Sequence, residues 1–201
     1  RISVKSSFLY VILLCSLAFL ILVQFNFLTI LLGMGSMLLA FAYPFMKRIT
    51  YWPQLFLGLT FNWGIIMAWA AFNNNISIEI LVLYMLAIFW TLGYDTIYGI
   101  QDISDDEIIG LKSTSIKFKK NIKKFVTTSY LIASLIAIYL FKNIIGFNIF
   151  TILLCLFLSS LFYQIIKFKT NNSKTCLDAF KLNNISGLLL FIAILSLNLQ
   201  I

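Results

Sequence analysis

Histidine is missing altogether, and acids are nearly so: among 201 residues there are seven Asp and Glu and no His. Without histidine, Ser–His–Asp chemistry, His-bound metals and His-ligated haem are excluded for this chain. Charged residues of both signs make up 11% of the sequence, against roughly 25% in a soluble domain. Two prolines and nine glycines leave the apolar stretches almost unbroken. Those stretches do not alternate between polar and apolar residues, which excludes a membrane β-barrel. Three cysteines, Cys15, Cys155 and Cys176, match no disulfide or metal spacing. The first two read as apolar fillers, the third as part of a polar loop.

What is present is hydrophobic length. Seven runs can be drawn, at about 8–25, 27–43, 53–72, 76–97, 126–141, 147–166 and 185–201. Most approach the ~17–25 residues that cross a bilayer. The expected fold class is an all-α integral membrane protein, a helical bundle of seven transmembrane helices forming one domain over 1–201. Asn26 alone separates the first two runs, so they are expected to form a tight hairpin, and Pro44 is expected to stop the second helix. Trp52 and Trp69 read as interfacial belt residues.

The net charge of +8 would suit nucleic acid in a soluble protein. Here the basic residues lie in the gaps between runs. Segments 1–7, 44–52, 98–125 and 167–184 hold fourteen of the fifteen, and the other side holds only Lys142. The positive-inside rule places those segments in the cytoplasm and argues for membrane orientation rather than nucleic-acid binding. The expected location is a bacterial inner membrane.

Five of the seven acids fall between Asp95 and Glu107, on that basic side. Asp95, Tyr98, Asp102 and Asp106 are spaced by three, four and four residues, so a continuous helix would carry them on one face. Stacked carboxylates repel, unless a dication lies between them. Mg²⁺ is commonly held by one or two carboxylates together with substrate phosphates. Asp102 and Asp106 are therefore the candidate metal ligands. Asp105 and Glu107 fall off the shared face and read as solvated. Asp95 ends an apolar run, where an ionisable residue is a functional candidate. Lys112 with Ser113, Thr114 and Ser115 suits phosphate oxygens. Lys47 and Arg48, after Tyr43 and Pro44, project at the same surface. The run Lys117–Lys124 reads as an orientation and lipid-headgroup patch.

These residues carry a resemblance. Tyr94-Asp95, Tyr98-x-x-x-Asp102-x-x-x-Asp106 and Gly110-Leu111-Lys112-Ser113-Thr114-Ser115 are similar to the second aspartate-rich motif of the UbiA superfamily of membrane prenyltransferases and its continuation. Tyr43-Pro44-Phe45-Met46-Lys47-Arg48, Pro53-Gln54, Gly58, Ala179-Phe180, Asn183-Asn184 and Gly187 resemble its 4-hydroxybenzoate polyprenyltransferase branch.

The resemblance implies a nine-helix bundle of which the seven runs are the last seven. It implies Mg²⁺ at two acidic motifs, a polyprenyl diphosphate, and 4-hydroxybenzoate as acceptor in ubiquinone biosynthesis. The isoprenoid tail would lie toward lipid. Asp102 and Asp106 match metal ligands, and Asp95 matches the acid that orients or deprotonates the acceptor. Lys112, Lys47 and Arg48 become diphosphate contacts, and Tyr43, Tyr94 and Tyr98 line the substrate pocket. Trp63, Trp90 and Tyr94 are candidates to shield a carbocation. The family's first acidic motif is not in this sequence, which begins at Arg1. The chain is therefore expected to be N-terminally incomplete and, alone, inactive.

Three alternatives stay open: another acceptor (homogentisate, naphthoate, haem or a tetrapyrrole), a cation-binding transporter subunit, and a membrane anchor. The Asp-rich run of CDP-alcohol transferases is absent.

Overall fold

A computed structural model describes residues 2–198 of the chain. Arg1 and the end of the seventh run, at 199–201, lie outside the described residues. Eleven helical segments follow in order: α1 Val4–Leu22, α2 Phe27–Ile49, α3 Pro53–Phe61, α4 Trp63–Asn73, α5 Ile78–Tyr98, α6 Ile103–Ile109, α7 Thr114–Lys117, α8 Ile122–Leu140, α9 Ile149–Lys167, α10 Ser173–Lys181 and α11 Asn183–Asn198. With α3–α4 and α10–α11 each taken as one span, seven stretches are long and apolar enough to cross a membrane. The chain is an integral membrane protein with an all-α bundle.

Short polar side chains set the helix starts. Ser3, Asn26, Ser77, Asn148 and Asn172 each accept a hydrogen bond from a first-turn N–H. Such caps satisfy donors that hydrocarbon could not. Asn26 does more: its Nδ2 donates to the carbonyls of Ala70 and Ala71, at 2.7 and 3.2 Å, tying the α1–α2 hairpin to the end of α4.

Helix α5 is the centre. It packs on α8 most extensively, and on α3, α4 and α10. Gly93 makes the α5–α8 contact possible: an ideal Cβ there would lie 2.2 Å from Cε1 of Tyr130. Ala133 and Ala137 are also fully buried on α8. Small residues allow the close approach from which helices in lipid gain their packing energy. Gln164 of α9 accepts from the Tyr130 hydroxyl at 2.6 Å and donates to Ser186 at 3.0 Å and Asn183 at 3.3 Å. Asn183 also accepts from Trp90 Nε1, at 3.0 Å. One buried amide thereby links α8, α9 and α11, and through Asn183 it reaches α5.

Four expectations need correction. Helix α2 does not stop at Pro44 but continues to Ile49, with Thr50 N–H closing on the Met46 carbonyl. Proline removes one donor inside a helix, and the turns on either side persist. The third run is broken at Asn62, whose side chain donates to both the Gly58 carbonyl and Thr91 Oγ1, each at 2.9 Å. Cys176 is not in a loop; it is fully buried on α10. The fourth correction, to the register of the acids, belongs to the site.

Candidate active site

Helix α5 ends at Tyr98. From Gly99 the chain tightens: the N–H groups of Ile100, Gln101 and Asp102 bond to carbonyls three residues back. The turn then opens into α6, with Asp102 at its N-cap position. Asp95, Tyr98, Asp102 and Asp106 therefore do not share one face of a continuous helix. Tertiary packing causes the break. Ile100 and Ile103 turn into the core, and Gly99 sits so close to Ser115 that an added Cβ would meet its Oγ at 2.6 Å.

The metal-candidate pair survives the break, because its spacing is local. Asp106 N–H bonds to the Asp102 carbonyl at 2.8 Å, so the two are one turn apart. Asp106 is buried, and its Oδ2 lies 3.3 Å from the Lys47 ammonium. Asp102 is half-buried and its side chain makes no cap bond. Asp95 is half-buried and within electrostatic range of Lys47 and Asp102, as Tyr43 is of Asp95. Tyr43, Lys47, Asp95, Asp102 and Asp106 are thus brought together from α2, the end of α5 and α6. Asp105 is exposed, and Glu107 is paired with Lys119 at 2.8 Å.

The other candidates are placed differently. The Lys112 ammonium donates to the Ile49 carbonyl at 3.2 Å and lies 5.6 Å from the centre of the Tyr51 ring. Its own N–H bonds to the Lys47 carbonyl at 2.7 Å, which joins the two basic segments. Arg48 is exposed. The hydroxyls of Ser113, Thr114 and Ser115 are not available to phosphate. Ser113 caps Ile116, Thr114 bonds to Thr96 at 2.7 Å, and Ser115 donates to the Thr96 carbonyl at 2.8 Å. They dock the loop onto α5, helped by Gln54, which accepts from Thr114 N–H.

Tyr94 and Tyr98 both lean on Phe180 of α10, at 5.9 and 4.7 Å between ring centres. Tyr98 faces the surface, whereas Tyr94 lines a cavity of about 280 Å³ with Phe61, Asn62, Trp90, Thr91 and Asn183. Thr91 is one turn from Asp95 on α5, so this cavity starts one helical turn from Asp95. Of the carbocation-shielding candidates, Trp90 and Tyr94 line it. Trp63 is instead bonded to the Leu32 carbonyl and packed edge-on against Tyr84. Asn62, Gln164 and the role of Gln54 escaped the sequence reading, since only their tertiary bonds distinguish them from ordinary amides.

Carboxylate oxygens are the donor type that Mg²⁺ takes. Asp102 and Asp106, one turn apart, carry donors of that type. No group of three or more His, Cys, Asp or Glu close enough to hold a metal occurs among the described residues.

Residues 1–193 match the UbiA prenyltransferase family, and the chain belongs to it. It is 40% identical over 191 residues to the mitochondrial 4-hydroxybenzoate polyprenyltransferase of Bos taurus, covering 92% of this chain and 50% of the relative. It is 38% identical over 200 residues to that of Rattus norvegicus, covering 98% and 53%. The chain spans about half the length of the curated relatives it matches. Among solved structures, it superposes on the apo UbiA homolog from Aeropyrum pernix K1 with a TM-score of 0.82 at 22% identity, covering 97% of this chain and 73% of that one. For digeranylgeranylglyceryl phosphate synthase the TM-score is 0.71 at 16% identity, covering 96% and 69%. Both likenesses establish the fold.

Proposed function

We propose that this chain is a single prenyltransferase domain, residues 1–201, that serves transfer of a polyprenyl group from its diphosphate to the ring carbon ortho to the hydroxyl of 4-hydroxybenzoate, in ubiquinone biosynthesis. The observation that carries the reading is the buried Asp106, paired with Lys47 and one turn from Asp102, with a cavity that starts one turn from Asp95. The relatives' names support the donor and acceptor classes. The cavity is also of suitable size, since one of roughly 150 Å³ already holds benzene.

In this reading Asp102 and Asp106 would hold Mg²⁺, which supplies Lewis-acid stabilisation of the diphosphate when bound. Lys47 and Arg48 bind the diphosphate and offset the charge that develops on it. Lys112 joins them by turning from the Ile49 carbonyl. Tyr43 and Tyr98 flank the entrance, while Tyr94 and Trp90 present ring faces to the allylic carbon as it gains positive charge. The C–O bond at that carbon breaks, the diphosphate leaves with the electron pair, and the acceptor ring attacks. Asp95 takes the ring proton. The distribution of lysines favours an orientation with the acids facing the cytoplasm, and our reading has the chain in a bacterial inner membrane. A transporter would need acids paired in mid-span. The two ion pairs among the described residues, Lys47–Asp106 and Lys119–Glu107, both lie at span ends.

A prenyl-transfer assay in membranes at varied Mg²⁺, with the chain extended to the length of its curated relatives, tests the reading. Asp102→Ala and Asp106→Ala are each expected to lower turnover roughly hundred-fold or more. Asp95→Asn is expected to bind prenyl diphosphate yet not turn over. Wild-type rates in either alanine variant would remove the metal assignment, and normal turnover in Asp95→Asn would remove the base.

A further inference from the structure

A second charged concavity lies away from the acids, where α8 begins and α9 ends. It encloses about 570 Å³, and Lys119, Lys120, Lys123, Lys124 and Lys169 all line it. Lys119 is paired with Glu107, and the other four have no ion pair among the described residues. Phe168 is fully buried beneath it, with the Lys123 ammonium 5.9 Å from its ring centre.

Both walls are fixed. Lys169 is held in a tight turn by Asn172 N–H on its carbonyl at 2.9 Å, by its own N–H on Thr175 Oγ1 at 3.0 Å, and by Cys176 Sγ on its carbonyl. Lys123 and Lys124 sit in the first turn of α8, which carries no acid. Cations are disfavoured there by the helix dipole, so this arrangement lacks a counter-charge that an anion would supply. The helices flanking the groove are both spans, so its mouth lies where hydrocarbon meets water, at the depth of lipid phosphates.

We infer that this groove binds the headgroup of an anionic phospholipid carrying two phosphodiesters. Four unpaired ammonium groups around one pocket call for more than one negative charge. Two flanking spans suit a ligand whose acyl chains continue into the bilayer, which a free phosphate lacks. The site involves none of the residues assigned to prenyl transfer, so it stands or falls independently of that reading.

The test is lipid retention by the purified chain, read by native mass spectrometry after reconstitution with diphosphatidylglycerol, phosphatidylglycerol or phosphatidylcholine. Diphosphatidylglycerol is expected to be retained most and phosphatidylcholine least. Lys123→Gln combined with Lys169→Gln is expected to weaken diphosphatidylglycerol binding roughly 30-fold, at about one kcal/mol per lysine. Lys174→Gln with Lys181→Gln removes the same charge on the same face outside the groove and is expected to change it little. Lys123→Arg with Lys169→Arg keeps the charge and is expected to keep binding, which separates a lost site from a damaged fold. Equal losses in the two glutamine pairs would reduce the groove to diffuse surface charge and overturn the inference. Displacement of the lipid by an equal concentration of inorganic pyrophosphate, or equal retention of phosphatidylcholine, would also overturn it.

Discussion

Helices α1 and α5 are both apolar spans, and α1 is the more hydropathic of the two. Yet α5 has ten buried residues and α1 has none. Helix α1 touches little besides α2, and a lipid-facing cleft of about 750 Å³ lies between them, walled by side chains such as Phe19, Leu22 and Met37. Helix α5 is enclosed by four neighbours. Hydrophobicity does not explain the difference, because in a bilayer a leucine gains little by exchanging lipid for another leucine. What α5 has instead is Gly93, where Tyr130 enters, and polar groups that bond across helices: Thr91 to Asn62, Thr96 to Thr114, Trp90 to Asn183. The site is built on the helix whose position is over-determined in this way.

That contrast can be broken by substitution. The largest expected effect is at Gly93→Ala. Its Cβ would collide with a Tyr130 ring that is fully buried and tied to Gln164, so neither can give way; about 2–3 kcal/mol of stability should be lost in thermal unfolding in detergent. Unfolding at the wild-type temperature would show that α8 is free to move from α5. Next comes Gln164→Leu. It cuts three bonds and leaves the Tyr130 hydroxyl without a partner, while Ser186 keeps Ser160 and the Leu182 carbonyl, at an expected cost of about 1–2 kcal/mol. The smallest effect is expected at Gly35→Ala on α2, where nothing lies within 4 Å of the added Cβ. Helix propensity should then raise stability by about 0.5–1 kcal/mol. A loss at Gly35 would mean that this face of α2 is covered in the membrane, and it would narrow the contrast.

The seven spans were legible in the sequence because each is an apolar run bracketed by Asn, Ser or Lys, which are local signals. The Asp102–Asp106 pair was legible for the same reason: a spacing of four survives as one turn even though the longer register from Asp95 does not. What was not legible depends on partners distant in sequence. The break at Asn62 is held by Thr91, and the turn at Gly99 by Ser115 and Gln54. Ser113, Thr114 and Ser115 looked like phosphate ligands because hydroxyls beside a lysine have that chemistry. Only the cap that Ser113 gives Ile116 and the docking of Thr114 and Ser115 on Thr96 assign them to structure.

The break at Asn62 carries a further consequence, for where polar groups sit in the membrane. It falls midway along the span Pro53–Asn73, so the carbonyl end of α3 and the amide end of α4 meet inside the membrane rather than at its surfaces. Asn62 bridges the two halves, its N–H on the Gly58 carbonyl and its carbonyl accepting from Ile65 N–H, and its side-chain amide is what the break turns outward. The break abuts the cavity lined by Asn62, Trp90 and Tyr94, in which no formally charged side chain takes part. A chain with so few acids thereby gains polar hydrogen-bonding groups at mid-depth, and avoids the desolvation that a carboxylate or ammonium buried there would require.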